Sequence, residues 1–282
     1  MAIKDILLAL TTYPDPTPVS AVDEAVVFTV ALGARISAIA CEVEIRVPGS
    51  LLADVLIDFQ AMAVAETKKS SINAENLLVA FQGAAEKRGV FQDRILEHCL
   101  TSEVPRVLTE HARLRDLTIV PVPEGEYFDQ WYAETIIFGS GRPALIIPHT
   151  PKRVGAFTLD TVVVAWDFSR AAARAVADSL PILEKAKRVY VATVTHEKVI
   201  DTKRSGAELA KHLARHGVDV VVDTVDAAGR GIGEVLASYV TSRKADILVM
   251  GAYGHSRIRD FILGGATKSM LARPPLPIFL SH

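Results

Sequence analysis

Short apolar runs alternate along the whole chain with longer stretches of helical spacing, and this alternation restricts the possible folds more than any other feature. Residues 6–10 are continuously apolar and are bounded by polar and turn residues, which is typical of a strand buried on both faces. Stretches with helical spacing follow at residues 19–34 and 59–88. Strands that alternate with helices predict a mostly parallel sheet covered by helices on both faces, and therefore an α/β fold.

The same alternation occurs twice. In the first half the predicted strands are residues 6–10, 36–43, 90–99, 117–120 and 144–147, and the predicted helices are residues 19–34, 59–88 and 102–114, with Ser102 as a possible N-cap. In the second half the predicted strands are residues 161–165, 188–194, 218–225, 246–250 and 277–280, and the predicted helices are residues 170–184 after a cap at Ser169, 202–216, 232–242 and one before the last strand.

The two halves align with each other. Gly89 and Gly217 each stop a helix before the third strand, and Asp116 and Asp246 each precede the fourth strand, with separations of 128–130 residues. We infer that the two halves arose by duplication. We predict two tandem five-stranded, parallel-sheet, Rossmann-like domains, residues 1–150 and 156–282, joined by a linker at 149–155 that carries Pro and Gly.

Composition excludes several classes of function. The formal net charge is −2 over 282 residues and the aromatic content is 6%, so binding to nucleic acid through phosphate neutralisation or base stacking has little support. Charged residues at the N-terminus and the short apolar run at 25–34 argue against a signal peptide and a membrane span. A cytoplasmic protein without a membrane partner is expected. Cys41 and Cys99 form no CxxC pair and are predicted to be buried, reduced thiols.

Two glycine clusters in the second half carry the main candidate for chemistry. Gly251-Ala252-Tyr253-Gly254 follows the fourth strand, and Gly264-Gly265-Ala266-Thr267 opens the last helix. Glycines let backbone N–H groups approach an anion, and a helix start favours phosphate. Tight turns and close helix packing explain such glycines equally well. The segment is not a Walker sequence, because no Gly-Lys-Ser/Thr follows at the required spacing.

The spacing Gly251-x2-Gly254-x9-Gly264 resembles the ATP-binding signature of the universal stress protein family, and Asp167 at the end of the first strand fits it too. The resemblance covers residues 158–282 well and 1–148 weakly, and the tandem layout is similar to that of two-domain members. It implies an adenine-nucleotide-alpha-hydrolase-like fold and binding of ATP, AMP or ADP, with Mg²⁺ as an optional companion. Stress response by binding or signalling, rather than by catalysis, would be the function.

The resemblance also implies site residues, position by position. They are Ala165, Trp166, Asp167, Val194, Met250, Gly251, Tyr253, Gly254, Gly264, Gly265, Ala266 and Thr267. Two of them depart from the family pattern. Gly265 stands where the family usually has Ser or Thr, and Trp166 is bulky, so that it either stacks on the base or blocks the adenine site.

The first half departs from the signature throughout. Residues 121–124, Pro-Val-Pro-Glu, replace the first glycine pair, and proline lacks the N–H that a phosphate needs. The first strand ends in Leu10-Thr11-Thr12, and Asp15 lies too far along a Pro-rich loop to replace Asp167. We predict that this half binds no nucleotide.

Other patterns suggest weaker hypotheses. Residues 229–233, Gly-Arg-Gly-Ile-Gly, resemble a dinucleotide loop with one glycine out of place, and Arg230 is within reach of a phosphate. His212 and His216 have metal-binding spacing but fit cations at a helix end better. The acidic residues Glu124, Glu126, Asp129 and Glu134 are predicted to form a solvated loop, with a hydrolytic carboxylate pair as a remote option.

Two further classes of function stay open at this point. A slow ATPase or adenine nucleotide hydrolase would need Asp167 or His255 as its base, and a small-molecule sensor would use an apolar cleft under the helix at 59–88. No catalytic residue or metal ligand is assigned. The resemblance implies that the last strands of the two halves, 144–147 and 278–280, pair within the chain as a pseudo-dimer, and two chains associating further as a homodimer is a weaker expectation.

Overall fold

The structure is a computed structural model, and it describes residues 2–46, 59–125, 127–150, 157–195, 202–252 and 265–282. Within these ranges, no helix has the length and the apolar character needed to cross a membrane.

Ten strands and eight α-helices are present in the described residues. The strands are β1 (Asp5–Leu10), β2 (Arg35–Glu44), β3 (Phe91–Leu100), β4 (Leu117–Val122), β5 (Ala144–Pro148), β6 (Thr161–Ala165), β7 (Arg188–Thr195), β8 (Val220–Asp226), β9 (Ile247–Gly251) and β10 (Ile278–Ser281). The helices are α1 (Val19–Leu32), α2 (Phe59–Lys87), α3 (Val104–Ala112), α4 (Tyr127–Gly139), α5 (Arg170–Leu183), α6 (Thr202–Arg215), α7 (Ile232–Ser242) and α8 (Gly265–Ala272).

All ten strands form one sheet, in the order β3-β2-β1-β4-β5-β10-β9-β6-β7-β8. Strands within each half pair in parallel, whereas β5 and β10 pair antiparallel, with Phe279 opposite Leu145. Each half is therefore a five-stranded Rossmann-like unit, and the two sheets join edge to edge through their last strands. The predicted fold class, a tandem of parallel-sheet α/β units, is confirmed.

Helices cover both faces of this sheet. Side chains alternate between the faces along each strand, so that Leu8 belongs to one buried cluster and Leu7 to the other. The first cluster includes residues from α1, α2, α5 and α6, and the second includes residues from α3, α4, α7 and α8. Both clusters run across the two halves, which explains why the strands read as continuously apolar.

Equivalent residues of the two halves make equivalent contacts. The Asp116 carboxylate accepts the N–H groups of Lys4 and Asp5 at 2.9 and 3.1 Å, and the Asp246 carboxylate accepts those of Asp160 and Thr161 at 2.6 and 2.8 Å. Each aspartate thereby fixes the start of the first strand of its half. Likewise, Gly89 and Gly217 both have a left-handed φ, of 69° and 76°.

Two local predictions are wrong. Asp129 and Glu134 of the acidic segment lie in helix α4 instead of a loop, because Ala133, Ile136 and Ile137 share one helical face and are buried; Glu124 lies in a bend before it, and Glu126 lies outside the described residues. Ser102 does not cap a helix; it lies in a 3₁₀ turn, Thr101–Glu103, that leads into α3. By contrast, Ser169 does cap α5, since its hydroxyl accepts the N–H of Ala172 at 3.0 Å.

Candidate functional site

The carboxyl ends of β6, β7 and β9 meet at one edge of the second-half sheet, where ligands bind in open parallel sheets. Ala165, Val194 and Met250 end these strands on the face that α7 and α8 cover. Ala266, in the first turn of α8, packs against the same cluster, and Thr267 beside it is buried. The structure thus places five predicted site residues on one face of the sheet.

Two other predicted site residues, Trp166 and Gly251, face the opposite side of the sheet, towards α5. Trp166 is only 8% exposed and belongs to the cluster that includes Ala172 and Val176 of α5. The backbone N–H of Trp166 donates to the Ala192 carbonyl oxygen at 2.9 Å, which continues the β6–β7 pairing. The Trp166 ring is therefore core, packed under α5, and it does not lie on the face shared by Ala165 and Met250.

Gly251 is required by packing. A Cβ at this position would lie 2.5 Å from backbone atoms of Ala171 and Ala172, so only glycine lets α5 approach the end of β9 so closely. The close-packing explanation therefore accounts for this glycine without a ligand. A role for its backbone in lining the ribose or phosphates stays a prediction.

Asp167 lies at the sheet edge, in the turn between β6 and α5. Its Oδ1 accepts the N–H of Ser169 at 3.0 Å, and Ser169 in turn caps α5. Phe168 between them has a φ of 60°, which is a left-handed conformation. The turn holds the Asp167 carboxylate beyond the end of β6, half-buried, and its contact with a nucleotide stays a prediction.

The start of α8 is the described part of the predicted phosphate segment. Tyr253, Gly254 and Gly264 lie outside the described residues, as does His255. Gly265 begins α8, is exposed, and has open space where a Cβ would stand. The first N–H groups of a helix have no partner within the helix and carry partial positive charge, so this end suits an anion.

In the first half, little space is left at the equivalent position beyond the end of β1. Between the ends of β1 and β2 and helices α3 and α4 lies a cavity of about 10 Å³, which Tyr13, Leu108 and Tyr132 line. That volume is at the lower limit for a single water, whereas small-molecule sites span roughly 300–1,000 Å³. Asp15 is exposed in the adjoining loop, away from this cavity.

A larger groove lies elsewhere in the first half. It has a volume of about 630 Å³ and runs between the first part of α2 and the carboxyl ends of β2 and β3. Glu42 lines it, accepts a hydrogen bond from the Ser71 hydroxyl at 2.7 Å and pairs with His98. The other lining residues combine charged and apolar side chains: Glu44, Arg46, Val64, Thr67, Lys68, Cys99, Leu100 and Glu103. The cleft expected under this helix is thus present, but it is not apolar throughout.

The remaining candidates have structural explanations. A Cβ on Gly233 would lie 2.7 Å from the Ser269 side chain, so the last glycine of the 229–233 segment permits α7 to pack against α8. His212 and His216 stack edge to face with ring centroids 5.0 Å apart, and no group of three or more metal-ligating side chains occurs in the described ranges.

Cys41 and Cys99 are both free and buried. A hydrogen bond between the two thiols, together with burial, raises the pKa of Cys41 well above its usual range, and the same bond lowers the pKa of Cys99. Cys41 is therefore a protonated core thiol.

Comparisons with known proteins agree with this architecture. The profile of the universal stress protein family matches residues 158–282. Universal stress protein Slr1230 from Synechocystis sp. (strain ATCC 27184 / PCC 6803 / Kazusa) is 38% identical over 45 residues, an alignment that spans only 16% of this chain and 16% of that relative.

Two solved structures share the whole fold. A universal stress protein from Archaeoglobus fulgidus DSM 4304 has a TM-score of 0.72 at 18% identity, covering 98% of this chain and 95% of that one. A protein from Pseudomonas aeruginosa UCBPP-PA14 has a TM-score of 0.57 at 12% identity, covering 99% and 93%. At such identities the structures show the fold alone. The profile therefore identifies residues 158–282 as a universal stress protein domain, and the solved structures show that the whole chain has the two-domain fold.

Proposed function

We propose that the second half binds an adenine nucleotide, ATP or AMP, and that the protein acts in stress response through this binding rather than through catalysis. The observation that carries the proposal is the difference between the two carboxyl edges. The cavity beyond the end of β1 measures about 10 Å³ and is lined by Tyr13 and Tyr132, whereas in the second half Gly265, the first described residue of α8, is exposed with open space where a Cβ would stand. An exposed helix start next to the ends of parallel strands is the arrangement that binds phosphates.

The parts of a nucleotide match the residues at this edge by chemistry. The half-buried Asp167 carboxylate is an acceptor for ribose hydroxyls, and the apolar ends of β6, β7 and β9 at Ala165, Val194 and Met250 suit a base. The N–H groups at the start of α8 suit phosphate oxygens. Gly265 supplies no hydroxyl, so Thr267 and backbone N–H groups would carry the phosphate contacts, with Mg²⁺ where a triphosphate is bound.

Thermal denaturation with and without nucleotide tests the proposal. A ligand specific to the native state stabilises it by about 2.7 kcal/mol at a hundredfold excess over Kd, so millimolar ATP or AMP should raise Tm by several degrees. Gly254→Val and Gly264→Val should abolish the shift while keeping the fold, and Gly231→Ala serves as the control because a Cβ there meets open space. No shift at millimolar ATP would overturn the proposal.

The same samples separate binding from turnover. Nucleotide that co-purifies, identified by mass spectrometry, and that stays intact on incubation supports a binding protein. Release of ADP by wild type, lost in Asp167→Ala, would instead favour the alternative of a slow ATPase or adenine nucleotide hydrolase.

The groove of about 630 Å³ beside α2 favours a second candidate function, a small-molecule sensor in the first half. Glu42 and His98 supply polar contacts there, and Val64 and Leu100 supply apolar ones. A non-nucleotide compound that co-purifies with wild type, and is lost in Glu42→Gln but kept in Asp167→Ala, would support this candidate.

A further inference from the structure

The end of β10 holds the backbone of Ala252, the second residue of the first glycine cluster (residues 251–254). Ser281 lies opposite Gly251 in the parallel pairing of β9 and β10, and its carbonyl oxygen accepts the Ala252 N–H at 2.8 Å. His282 makes the next contact, between its Nδ1 and the Ala252 carbonyl oxygen at 2.9 Å. A carbonyl oxygen can only accept, so Nδ1 carries a proton and donates it. Two consecutive residues therefore hold both polar backbone groups of Ala252.

These contacts lie at the edge where a nucleotide is proposed to bind. The Ala252 side chain is fully buried in the same cluster as Met250, on the face that α7 and α8 cover, and Ala266 at the start of α8 packs against that cluster. The peptide group is planar, so a bond that fixes the Ala252 carbonyl also fixes the peptide unit by which the chain leaves Ala252. His282 thus sets the direction in which the backbone enters the rest of the first glycine cluster.

The first half reaches the same contact through α4. Phe138, near the end of that helix, packs edge to face on the His282 ring, with ring centroids 5.1 Å apart and an interplanar angle of 87°. The N–H of Gly125, just before α4, donates to the Ala272 carbonyl oxygen at the end of α8, at 2.9 Å. The His282 residue is exposed, and the Phe138 ring restricts the orientations in which its Nδ1 can meet Ala252.

We propose that the first half positions the phosphate-binding backbone of the second half through the contacts from Phe138 to His282 and from His282 to Ala252; this inference rests on the nucleotide binding proposed above. His282 is a positioning residue, because it acts through the Ala252 backbone and not on the ligand. Groups that are held in place before binding lose less conformational entropy when the ligand arrives, so the affinity for phosphate depends on this contact. The first half thereby contributes to a site that lies in the other half.

Titration calorimetry with ATP and with inorganic tripolyphosphate tests the assignment. His282→Phe keeps a ring beside Phe138 but has no donor for the Ala252 carbonyl, and it should weaken both ligands about fivefold, the equivalent of one ordinary hydrogen bond. His282→Asn keeps an N–H donor near the position of Nδ1, and both ligands should bind within about twofold of wild type. Phe138→Leu keeps the donor and loses only the ring contact, so it should weaken both ligands about two- to threefold.

Phe157→Leu is the matched control for Phe138→Leu. Phe157 packs edge to face on Phe28, with ring centroids 5.3 Å apart, against the cluster on the other face of the sheet. The same substitution there removes the same kind of contact, but on the face away from Ala252. Phe157→Leu should therefore lower Tm about as much as Phe138→Leu does, and it should leave the affinities for ATP and tripolyphosphate unchanged.

The outcomes separate this inference from the proposed function. If wild type binds ATP and His282→Phe binds it equally well, the positioning role is wrong and the nucleotide site stands. If His282→Asn binds as weakly as His282→Phe, or Phe157→Leu as weakly as Phe138→Leu, the losses follow from general destabilisation and the inference is again wrong. If wild type binds no ATP at all, both fail together. Circular dichroism and Tm of each variant verify that all the proteins are folded.

Discussion

The two halves of this protein share their scaffold and differ at one edge. At the amino ends of the strands, Asp116 and Asp246 accept the same pair of backbone N–H groups in each half. At the carboxyl ends the equivalents diverge: Pro121 stands in β4 where Gly251 stands in β9. The duplication has kept the contacts that set strand register and has changed the residues that would meet a ligand.

The two halves also differ in the space and the exposure found beyond their first strands. In the first half, Tyr13 and Tyr132 line a cavity of only about 10 Å³ beyond the end of β1. In the second half, Phe168 is strained and the start of α8 is exposed. At this position, the features that suit a ligand therefore lie in the second half. Three pairs of substitutions test how far this contrast holds.

The largest effect is expected from Gly251→Ala. The new Cβ would stand 2.5 Å from the backbone of α5, and backbone atoms move only with the whole helix. Overpacking of this kind costs about 1–3 kcal/mol, and we expect the upper end, about 3 kcal/mol, without any nucleotide present. Urea denaturation monitored by circular dichroism measures the free energy of unfolding.

Gly265→Ala is the matched control for this substitution, since it lies in the same glycine-rich region but its Cβ would meet open space. It should keep or slightly raise stability, because alanine is the better helix former. If Gly251→Ala is as stable as wild type, this glycine is not a packing residue, and its explanation returns to the ligand.

A smaller, unequal pair of effects is expected from Asp246→Ala and Asp116→Ala. Asp246 is 1% exposed, so its removal leaves two N–H groups with little access to water, at a cost of about 2–3 kcal/mol. Lys4 is exposed, so in Asp116→Ala its backbone N–H can donate to water instead. We therefore expect Asp116→Ala to lower the free energy of unfolding by only about 1 kcal/mol. Urea denaturation of both variants measures the two losses in free energy of unfolding. Equal losses would mean that the two halves are as similar in energy here as in geometry.

The sequence predicted the scaffold well, because strand alternation and helix stops are local. The bounds of β6 and α7 agree with the predicted residues, and the other strands agree to within two residues. Helix α4 was hidden because charged and aromatic residues fill its first turns, and its apolar face occupies only the second half of the helix.

The geometry of the site was less predictable, for a physical reason. Residues 162–165 are all apolar and lie in a strand covered on both faces, so the sequence carries no sign of which face each side chain meets. Ala165 and Trp166 were expected together, but consecutive residues of a strand point to opposite faces, and here they do so. The left-handed φ of Phe168 was not predictable either, because such a conformation at a phenylalanine has no sequence signal.

The smallest effect is expected where the two halves meet. Glu134 of α4 and Lys268 of α8 hold equivalent positions, since they are separated by the same 134 residues as Pro143 and Pro277 before the last strands. Burial raises the pKa of Glu134, and the Lys268 ammonium partly offsets this. A carboxyl whose folded pKa exceeds its unfolded value of about 4.3 costs no stability below that pH, and the cost appears as pH rises through the folded pKa.

Glu134→Gln should therefore raise Tm slightly at pH 7 and leave it unchanged near pH 4, because glutamine carries no charge to desolvate. Lys268→Gln should do the opposite at pH 7, lowering Tm slightly, because the ionised Glu134 loses its attraction to the ammonium. Both shifts should be small, since Lys268 is exposed and solvent screens the pair. Calorimetric scans of the three proteins at the two pH values measure this. Shifts that persist unchanged at pH 4 would show that packing, and not the opposite charges at equivalent positions, distinguishes the two sides of the junction.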